Sequence, residues 1–203
     1  MAIELKNSMF VHIPKCGGRT VKRMLKNYVS GAKVIGDDIY ESHNTPDTGK
    51  PVFAFIRHPA TFIHSLWTHR SKKKGHGEAW NWQEYLRIEK ECQSKDYNTF
   101  IENVLKGNNY VWDYYLHYTQ KYDNIQYGKM ENLLEDLITI LKQNNEDFDE
   151  KGIRENLNVH GANNKSTGQP VPLVDTMTYV QIKKLITESE KELCRRFDYH
   201  AFW

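Results

Sequence analysis

The chain has 203 residues, with 28 Lys and Arg against 26 Asp and Glu, and this net charge of +2 argues against a domain that binds polyanions through bulk charge. Its 8 Phe, 5 Trp and 12 Tyr exclude a disordered chain, because so many aromatic side chains can bury a large surface. The mean hydropathy is −0.73 and no apolar run approaches the ~18 residues of a membrane span, so no transmembrane segment is predicted.

The N-terminus and the cysteines predict where the protein is found. The start of the chain has no basic segment followed by a long apolar stretch, so it does not read as a signal peptide. Cys16, Cys92 and Cys194 are too few and too scattered for a disulfide framework, and no CxxC pair suggests zinc. We therefore expect a reducing, cytoplasmic setting, and the length predicts a single domain over residues 1–203.

The first predicted elements are a strand, a glycine-containing loop and a helix. Met9–Ile13 is a short apolar run typical of a buried strand, and Pro14–Gly18 ends it. From Thr20 onward, apolar residues recur at i, i+3, i+4 and i+7, which is one face of a helix. These residues are Val21, Met24, Leu25 and Tyr28.

Strands and helices alternate along the rest of the chain. Further strand candidates are Ala32–Ile35, Val52–Ile56 and Ile125–Met130. Helices are predicted from Pro59 through Trp67, over most of Trp80–Tyr122, after Met130, and from about Thr176 to Phe197 with Ile182, Leu185, Ile186 and Ser189 on its inner face. This alternation predicts a helix-rich α/β fold of three layers, αβα, with a central parallel sheet.

The segment from His12 to Thr20, HIPKCGGRT, has the features of an anion site. A strand that ends in a glycine turn and opens a helix presents backbone N–H groups and the positive end of the helix to an anion. The glycines permit close approach, Lys15 adds a full positive charge, and Thr20 adds a hydroxyl donor. The segment is not a Walker A loop, because no GK[ST] follows. The alternative is an ordinary strand-to-helix turn with a surface lysine.

A second candidate anion site begins at Arg57, at the carboxyl end of a predicted strand, where ligands bind in open α/β sheets. Arg can grip a phosphate with a forked pair of hydrogen bonds, and Ser65, two helical turns on, can donate one more. A surface Arg and a solvent-facing Ser are the alternative.

Together these motifs resemble the sulfotransferase superfamily that uses 3′-phosphoadenosine 5′-phosphosulfate (PAPS). FVHIPKCGGRT is similar to the family's 5′-phosphosulfate loop, whose usual form is close to HIPKTGGTS, with Cys16 and Arg19 standing in place of Thr. Phe55–Ser65 is similar to its 3′-phosphate motif. Weaker likenesses follow in the expected order at Glu41–Thr45, Tyr127–Leu133, Asn164–Ser166 and the closing FDYHAF.

The resemblance implies a P-loop-like enzyme that moves a sulfuryl group from PAPS to an acceptor hydroxyl and releases adenosine 3′,5′-bisphosphate. A carbohydrate is the first candidate for the acceptor. It implies no metal. The residues it implies for cofactor binding are Lys15, Cys16, Gly17, Gly18, Arg19, Thr20, Arg57, Ser65, Lys165 and Ser166. Lys15 is also expected to act in catalysis, where charge builds on the leaving 5′-phosphate oxygen.

The acceptor hydroxyl needs a base, and histidine is the obvious type. His43 is the first candidate, because its context matches the family's His-x-Thr segment, and Glu41 is the alternative. His12 and His58 adjoin the cofactor motifs and are expected to support those loops, while His64 is expected to face elsewhere.

Other functions stay open at this point. The basic run from His69 to Gly77 is either a solvated loop or a binding loop for an anionic glycan; nucleic acid is disfavoured by the small net charge. Tyr110–Tyr118 could stack on sugars, although aromatic residues at helical spacing are more often core. The rival functions are a nucleotide kinase with a divergent phosphate loop and a non-catalytic module that binds an anion or nucleic acid.

Overall fold

The computed structural model describes residues 2–35, 49–71, 73–74, 78–79, 82–160 and 179–199. Contacts within the chain define two compact units. The first comprises Met1–Arg57 and Tyr118–Lys165, and the second comprises His58–His117 and Ser166–Trp203. No helix in the described ranges is long and apolar enough to cross a membrane.

The described strands are β1 (Ala2–Glu4), β2 (Met9–Val11), β3 (Lys33–Ile35), β4 (Val52–Ile56), β5 (Lys73–Lys74), β6 (Glu78–Ala79) and β7 (Ile125–Lys129). The described helices are α1 (Gly18–Tyr28), α2 (Pro59–Ser71), α3 (Arg87–Cys92), α4 (Tyr97–Leu105), α5 (Tyr110–Thr119), α6 (Leu133–Gln143), α7 (Glu150–His160), α8 (Tyr179–Ser189) and α9 (Lys191–Arg196), with a 3₁₀ turn at Met130–Asn132.

The first unit contains a five-stranded mixed sheet in the order β3-β1-β2-β4-β7. The strands β2, β4 and β7 are parallel, whereas β1 runs antiparallel to both of its neighbours. The prediction of an α/β fold is confirmed, and the sheet predicted as parallel is mixed, since β1 is antiparallel to its neighbours. The reason is a tight connection in which the Leu5 N–H donates to the Ser8 carbonyl at 2.9 Å, because so short a turn can only join antiparallel strands.

Helices α1, α6 and α7 cover one face of this sheet. Successive side chains of a strand point to opposite faces, so Phe53 and Phe55 of β4 pack towards these helices while Val52 lies on the other face. The predicted inner face of α1 is confirmed at Val21, Met24 and Leu25, which are fully buried. Their burial anchors α1, and with it the loop that precedes the helix.

The second unit is built mainly from helices α2 to α5, α8 and α9. The Phe62 ring of α2 meets the rings of Tyr114 and Tyr115 edge-on, with centroid distances of 4.9 and 5.2 Å. The α5 aromatics Tyr110, Trp112, Tyr114, Tyr115 and Tyr118 are all buried. The aromatic run is therefore core, and it does not offer a surface that could stack on sugars.

The single helix predicted at the C-terminus is two helices, α8 and α9, that are separated at Glu190. The Glu190 carboxylate is fully buried and accepts hydrogen bonds from the N–H groups of Val111 at 2.9 Å and Trp112 at 3.3 Å. It thereby caps the first turn of α5, because the N–H groups of a first helical turn have no carbonyl partner within the helix. Leu185, predicted on the inner face of α8, is 36 % exposed.

The three cysteines are free and buried. Cys16 lies in the first unit, and Cys92 and Cys194 lie in the second. Burial raises the pKa of the Cys92 thiol to about 11 and that of the Cys194 thiol to about 12. Both thiols are therefore protonated and unreactive in the folded protein at neutral pH.

Burial also raises the pKa of Glu190 to about 7 from an ordinary value of 4.5. The folded protein then holds a proton that the unfolded chain releases between these two values, so this group stabilises the fold at low pH and the contribution is lost as pH rises to 7. Glu190→Gln keeps an acceptor oxygen but cannot ionise. We measure the free energy of unfolding of Glu190→Gln minus that of the wild type by urea unfolding. We expect this difference to be about 2–3 kcal/mol more favourable to the variant at pH 8 than at pH 4.5.

Glu188→Gln is the matched control, because Glu188 lies two residues earlier on α8 and is exposed. Its stability relative to the wild type should show no comparable dependence on pH. If Glu190→Gln and Glu188→Gln follow the same pH profile, the carboxylate of Glu190 does not ionise inside the folded protein as described.

Candidate functional site

The candidate site lies at the carboxyl edge of the three parallel strands. Because β2, β4 and β7 run in the same direction, the segments that follow them meet at one edge of the sheet, which is where ligands bind in open α/β sheets. The loop of residues 12–17 follows β2, Arg57 follows β4, and the turn that begins at Met130 follows β7.

The loop has an unusual backbone. Lys15 has φ 69° and Gly17 has φ 76°, so both residues adopt the left-handed conformation. For a residue with a side chain this conformation costs about 1–2 kcal/mol. The Cys16 N–H donates to the Ile13 carbonyl at 3.3 Å and closes the turn. Left-handed residues within a turn aim successive N–H groups into a concavity that suits an anion.

The N-terminus of α1 has no side-chain cap. Gly17 is the N-cap residue and has no capping side chain, and no acidic residue lies in the first turn. The N–H groups of Thr20 and Val21 both return to the Gly17 carbonyl, at 2.9 and 3.2 Å. Within the described ranges, the N–H groups of Gly18 and Arg19 have no acceptor. Among these described residues the positive end of the helix dipole has no acidic partner, and a helix end of this kind favours an anion.

Two side chains pack against the loop at the positions of its two glycines. A Cβ at Gly17 would coincide with the Met130 sulfur, and a Cβ at Gly18 would coincide with the His12 ring. The expected supporting role of His12 is consistent with this contact. Met130 lies in the turn after β7, and no local sequence pattern marks it as part of the site.

The predicted site residues of the loop differ in what they present to solvent. Cys16 is 1 % exposed and Thr20 is 0 % exposed, whereas Lys15 is half-buried and Arg19 is exposed. Of these side chains, a ligand approaching from solvent therefore meets those of Lys15 and Arg19. The Cys16 side chain does not reach solvent.

Arg57 and Ser65 are described in different units. Arg57 is half-buried and directly follows β4 in the first unit. Ser65 lies on α2 in the second unit and is 7 % exposed, so the alternative of a solvent-facing serine is wrong. Their joint action on one phosphate stays a prediction.

The histidines near these motifs have structural partners. His58 is 3 % exposed, its Nδ1 accepts the Ala60 N–H at 3.2 Å, and its carbonyl accepts the Phe62 N–H at 2.9 Å. It thereby starts α2, in keeping with the predicted supporting role. The His64 ring meets the Tyr97 ring edge-on at 5.8 Å, within the second unit.

Several predicted site residues lie outside the described residues. These are the candidate bases His43 and Glu41, and the late-loop residues Lys165 and Ser166. Their roles stay predictions from the resemblance. Among the residues that the structure does describe, no group of three or more His, Cys, Asp or Glu side chains could hold a metal ion.

Two cavities of the first unit lie at the opposite, amino edge of the parallel strands. One has a volume of about 390 Å³ and the other about 410 Å³, and Ser30 and Asp147 line both. Neither is lined by Lys15, the loop glycines or Arg57.

No protein-family model, curated protein or solved structure matches the chain.

Gly17 and Gly31 allow the packing of the loop to be separated from its backbone conformation. Both residues have a left-handed φ, 76° and 73°, but a Cβ at Gly31 would meet nothing within 4 Å. Each Gly→Ala change should cost about 1–2 kcal/mol for the conformation alone. Gly17→Ala should cost slightly more, because the flexible end of the Met130 side chain has to move to admit the new methyl group, and urea unfolding measures the difference.

A double-mutant cycle tests whether Met130 causes the difference in stability loss between Gly17→Ala and Gly31→Ala. Met130→Ala should be less harmful in the Gly17→Ala background than in the wild type, because the smaller side chain makes room for the methyl group. Equal losses for Gly17→Ala and Gly31→Ala, together with additive effects in the cycle, would mean that Met130 does not support the loop.

Proposed function

We propose that this chain is a PAPS-dependent sulfotransferase with a three-layer, P-loop-like fold, and that it sulfates an acceptor hydroxyl. A carbohydrate is the first candidate for the acceptor. The observation that carries the proposal is the loop between β2 and α1. It combines Lys15, two glycines in close contact with other side chains, and a helix N-terminus without a side-chain cap at the carboxyl edge of parallel strands. These are the physical requirements of a 5′-phosphosulfate loop.

The reaction requires charge stabilisation rather than covalent chemistry from the protein. The acceptor oxygen forms a bond to sulfur while the bond between sulfur and the 5′-phosphate oxygen breaks, and negative charge builds on that leaving oxygen. As in phosphoryl transfer, the protein contributes positioning and electrostatic stabilisation. Lys15 and the N–H groups of Gly18 and Arg19 would meet the developing charge.

The acceptor hydroxyl loses its proton to a base in the same step. His43 is proposed for this role from the resemblance, with Glu41 as the alternative. A neutral imidazole at neutral pH can accept the proton, since the unperturbed pKa of histidine is ~6.5.

The second anionic group of the cofactor is the 3′-phosphate, which ATP lacks. Arg57 is proposed to bind it with a forked pair of charge-assisted hydrogen bonds, and Ser65 to donate one more. A nucleotide kinase is the weaker proposal, because the loop has no GK[ST] sequence for a triphosphate and its magnesium ion.

Nucleotide selectivity is the first measurement. Calorimetry should show that the wild type binds adenosine 3′,5′-bisphosphate at least ten times more tightly than adenosine 5′-monophosphate, because a charge-assisted hydrogen bond contributes roughly 1.5–3 kcal/mol. Arg57→Ala should weaken only the bisphosphate and so shrink this gap, and Ser65→Ala should do so to a smaller degree. Equal affinity of the wild type for the two nucleotides would refute the proposed cofactor.

Transfer itself is tested with labelled PAPS and a panel of glycan, tyrosine-peptide and small-alcohol acceptors, read by mass. Lys15→Gly should lower turnover by roughly 10²–10³, as for the loss of one such donor. The same change should leave the fold intact or slightly more stable, because glycine adopts the left-handed conformation of Lys15 without strain.

Lys26→Ala is the control for charge, since Lys26 lies in the last turn of α1 and is exposed. It should retain normal turnover. A Lys15→Gly protein with near-normal turnover would show that Lys15 is only a surface charge. Tight bisphosphate binding without transfer to any acceptor would favour the non-catalytic anion-binding module.

A further inference from the structure

The cavity of about 390 Å³ at the amino edge of the parallel strands carries an excess of positive charge. It is lined by three lysines, Lys6, Lys33 and Lys50, and by two carboxylates, Glu4 and Asp147. The lysines come from three separate segments: the turn after β1, the strand β3 and the residues just before β4. The charged side chains that line this space therefore sum to +1.

Strand pairing and a hydrogen bond place two of these lysines beside Glu4. Glu4 pairs in register with Lys33, so their side chains point to the same face of the sheet. The Lys50 ammonium group donates to Glu4 Oε1 at 2.7 Å and to the Leu5 carbonyl at 2.8 Å. The hydrogen bond from Lys50, then its charge and, more weakly, that of Lys33 lower the pKa of Glu4. Glu4 is thus ionised at neutral pH and is committed to Lys50.

Lys6 and Lys33 supply the positive charge that Glu4 does not use. Both side chains are exposed, and within the described ranges neither forms an ion pair. The second carboxylate, that of Asp147, accepts the Ser30 hydroxyl at 2.9 Å. Gly31 leaves its side of the cavity open, because a Cβ there would meet nothing within 4 Å. An anion that enters the cavity can therefore bind the two ammonium groups without breaking an ion pair.

The cavity of about 410 Å³ adjoins the first one and has a different chemical character. Ser30 and Asp147 line both cavities, and the second adds the Asn27 amide, the Asp149 carboxylate and the Tyr28 ring. Among the described residues it is lined by no lysine or arginine. Amide and carboxylate oxygens accept hydrogen bonds from hydroxyl groups, and an aromatic ring packs against the apolar part of a ligand. The second cavity therefore suits a neutral ring that carries hydroxyl groups.

The two cavities together favour an acidic saccharide over other anions. A sulfate ester or a sugar carboxylate carries one negative charge at neutral pH and so matches the net charge of the first cavity, whereas a phosphate monoester carries −1.5 to −2. A nucleic acid would bring a row of phosphates against Asp147 and Asp149, which repel them. An acidic saccharide has the single charge and the neighbouring hydroxyl groups on one molecule.

We propose that the first cavity is a second anion site, which binds the sulfate or carboxylate group of an acidic saccharide while the sugar hydroxyls lie in the second cavity. The assignment goes beyond the proposed function, because it concerns the amino edge of the parallel strands and requires no PAPS. It gives the chain a place to hold a saccharide that already carries acidic groups, independently of the transfer step.

Titration of the full chain with four probes, followed by amide NMR, tests this assignment. The probes are glucose 6-sulfate, glucuronate, glucose 6-phosphate and glucose, each added with excess adenosine 3′,5′-bisphosphate so that the anion loop is occupied. We expect glucose 6-sulfate and glucuronate to shift the Gly31 amide signal and to bind at least ten times more tightly than glucose. Glucose 6-phosphate should bind no more tightly than the sulfate, because its second charge faces Glu4 and Asp147.

The variants Lys6→Gln and Lys33→Gln each remove one of the two charges. Each should weaken glucose 6-sulfate binding roughly tenfold without changing glucose binding, and Lys33→Arg should retain the wild-type affinity. Lys191→Gln is the matched control, because Lys191 is an exposed lysine of α9 in the second unit. It should bind all probes like the wild type. Thermal unfolding establishes that each variant is folded, and Lys33→Arg keeps the test valid if a glutamine variant unfolds.

The remaining outcomes overturn the assignment. It is wrong if glucose 6-sulfate affinity survives both glutamine changes, if glucose binds as tightly as glucose 6-sulfate, or if glucose 6-phosphate binds more tightly than either acidic sugar. Inorganic sulfate that binds as tightly as glucose 6-sulfate would overturn the saccharide as the ligand. The proposed function is decided separately, by the preference for adenosine 3′,5′-bisphosphate over the monophosphate and by transfer from PAPS.

Discussion

The parallel pairing of β2, β4 and β7 is the constraint on which the candidate site depends. A helix N-terminus and a lysine on a loop are common, but here the strand directions bring the loop, Arg57 and the turn at Met130 to one edge. The pairing of Ile56 with Lys129 sets which residues of the two chain segments lie side by side. A register shift of one residue would reverse the faces of every β7 side chain.

The core of the sheet and the helices on it follow from local sequence patterns. All five residues of β4 are buried, which explains why an unbroken apolar run was sufficient to identify it. The strand β1 was not identified, because three residues are too few to show a period. Its antiparallel direction depends on the turn at Leu5–Ser8, and this made the sheet mixed.

Tertiary contacts explain why the prediction of a single C-terminal helix is wrong. A continuous helical period over residues 176–197 is compatible with one helix, but the buried carboxylate of Glu190 serves the N-terminus of α5 instead. The two helices separate at that residue. Leu185 shows the same limit, since its apolar character predicted burial whereas the packing of α8 leaves it partly exposed.

The candidate site likewise has one part that the sequence predicts and one part that only the tertiary structure shows. The loop around Lys15 is local, so its residue types and spacing revealed it in the sequence. Met130 contacts the loop through packing across a long stretch of chain, and no local pattern marks it. Asp136 stabilises the start of that turn, because its carboxylate accepts from the Lys129 N–H.

The buried thiols give each unit its own internal reporter of opening. Cys16 is in the first unit, within the anion loop, and Cys92 and Cys194 are in the second. Since a thiol reacts with an alkylating reagent only after exposure and ionisation, the labelling rate of each cysteine reports how often its surroundings open. The labelling rate of each cysteine can be followed by peptide mass, with and without nucleotide and without any engineered probe. A ligand that stabilises only the first unit should slow the labelling of Cys16 alone, whereas one that stabilises the whole chain should slow the labelling of all three cysteines.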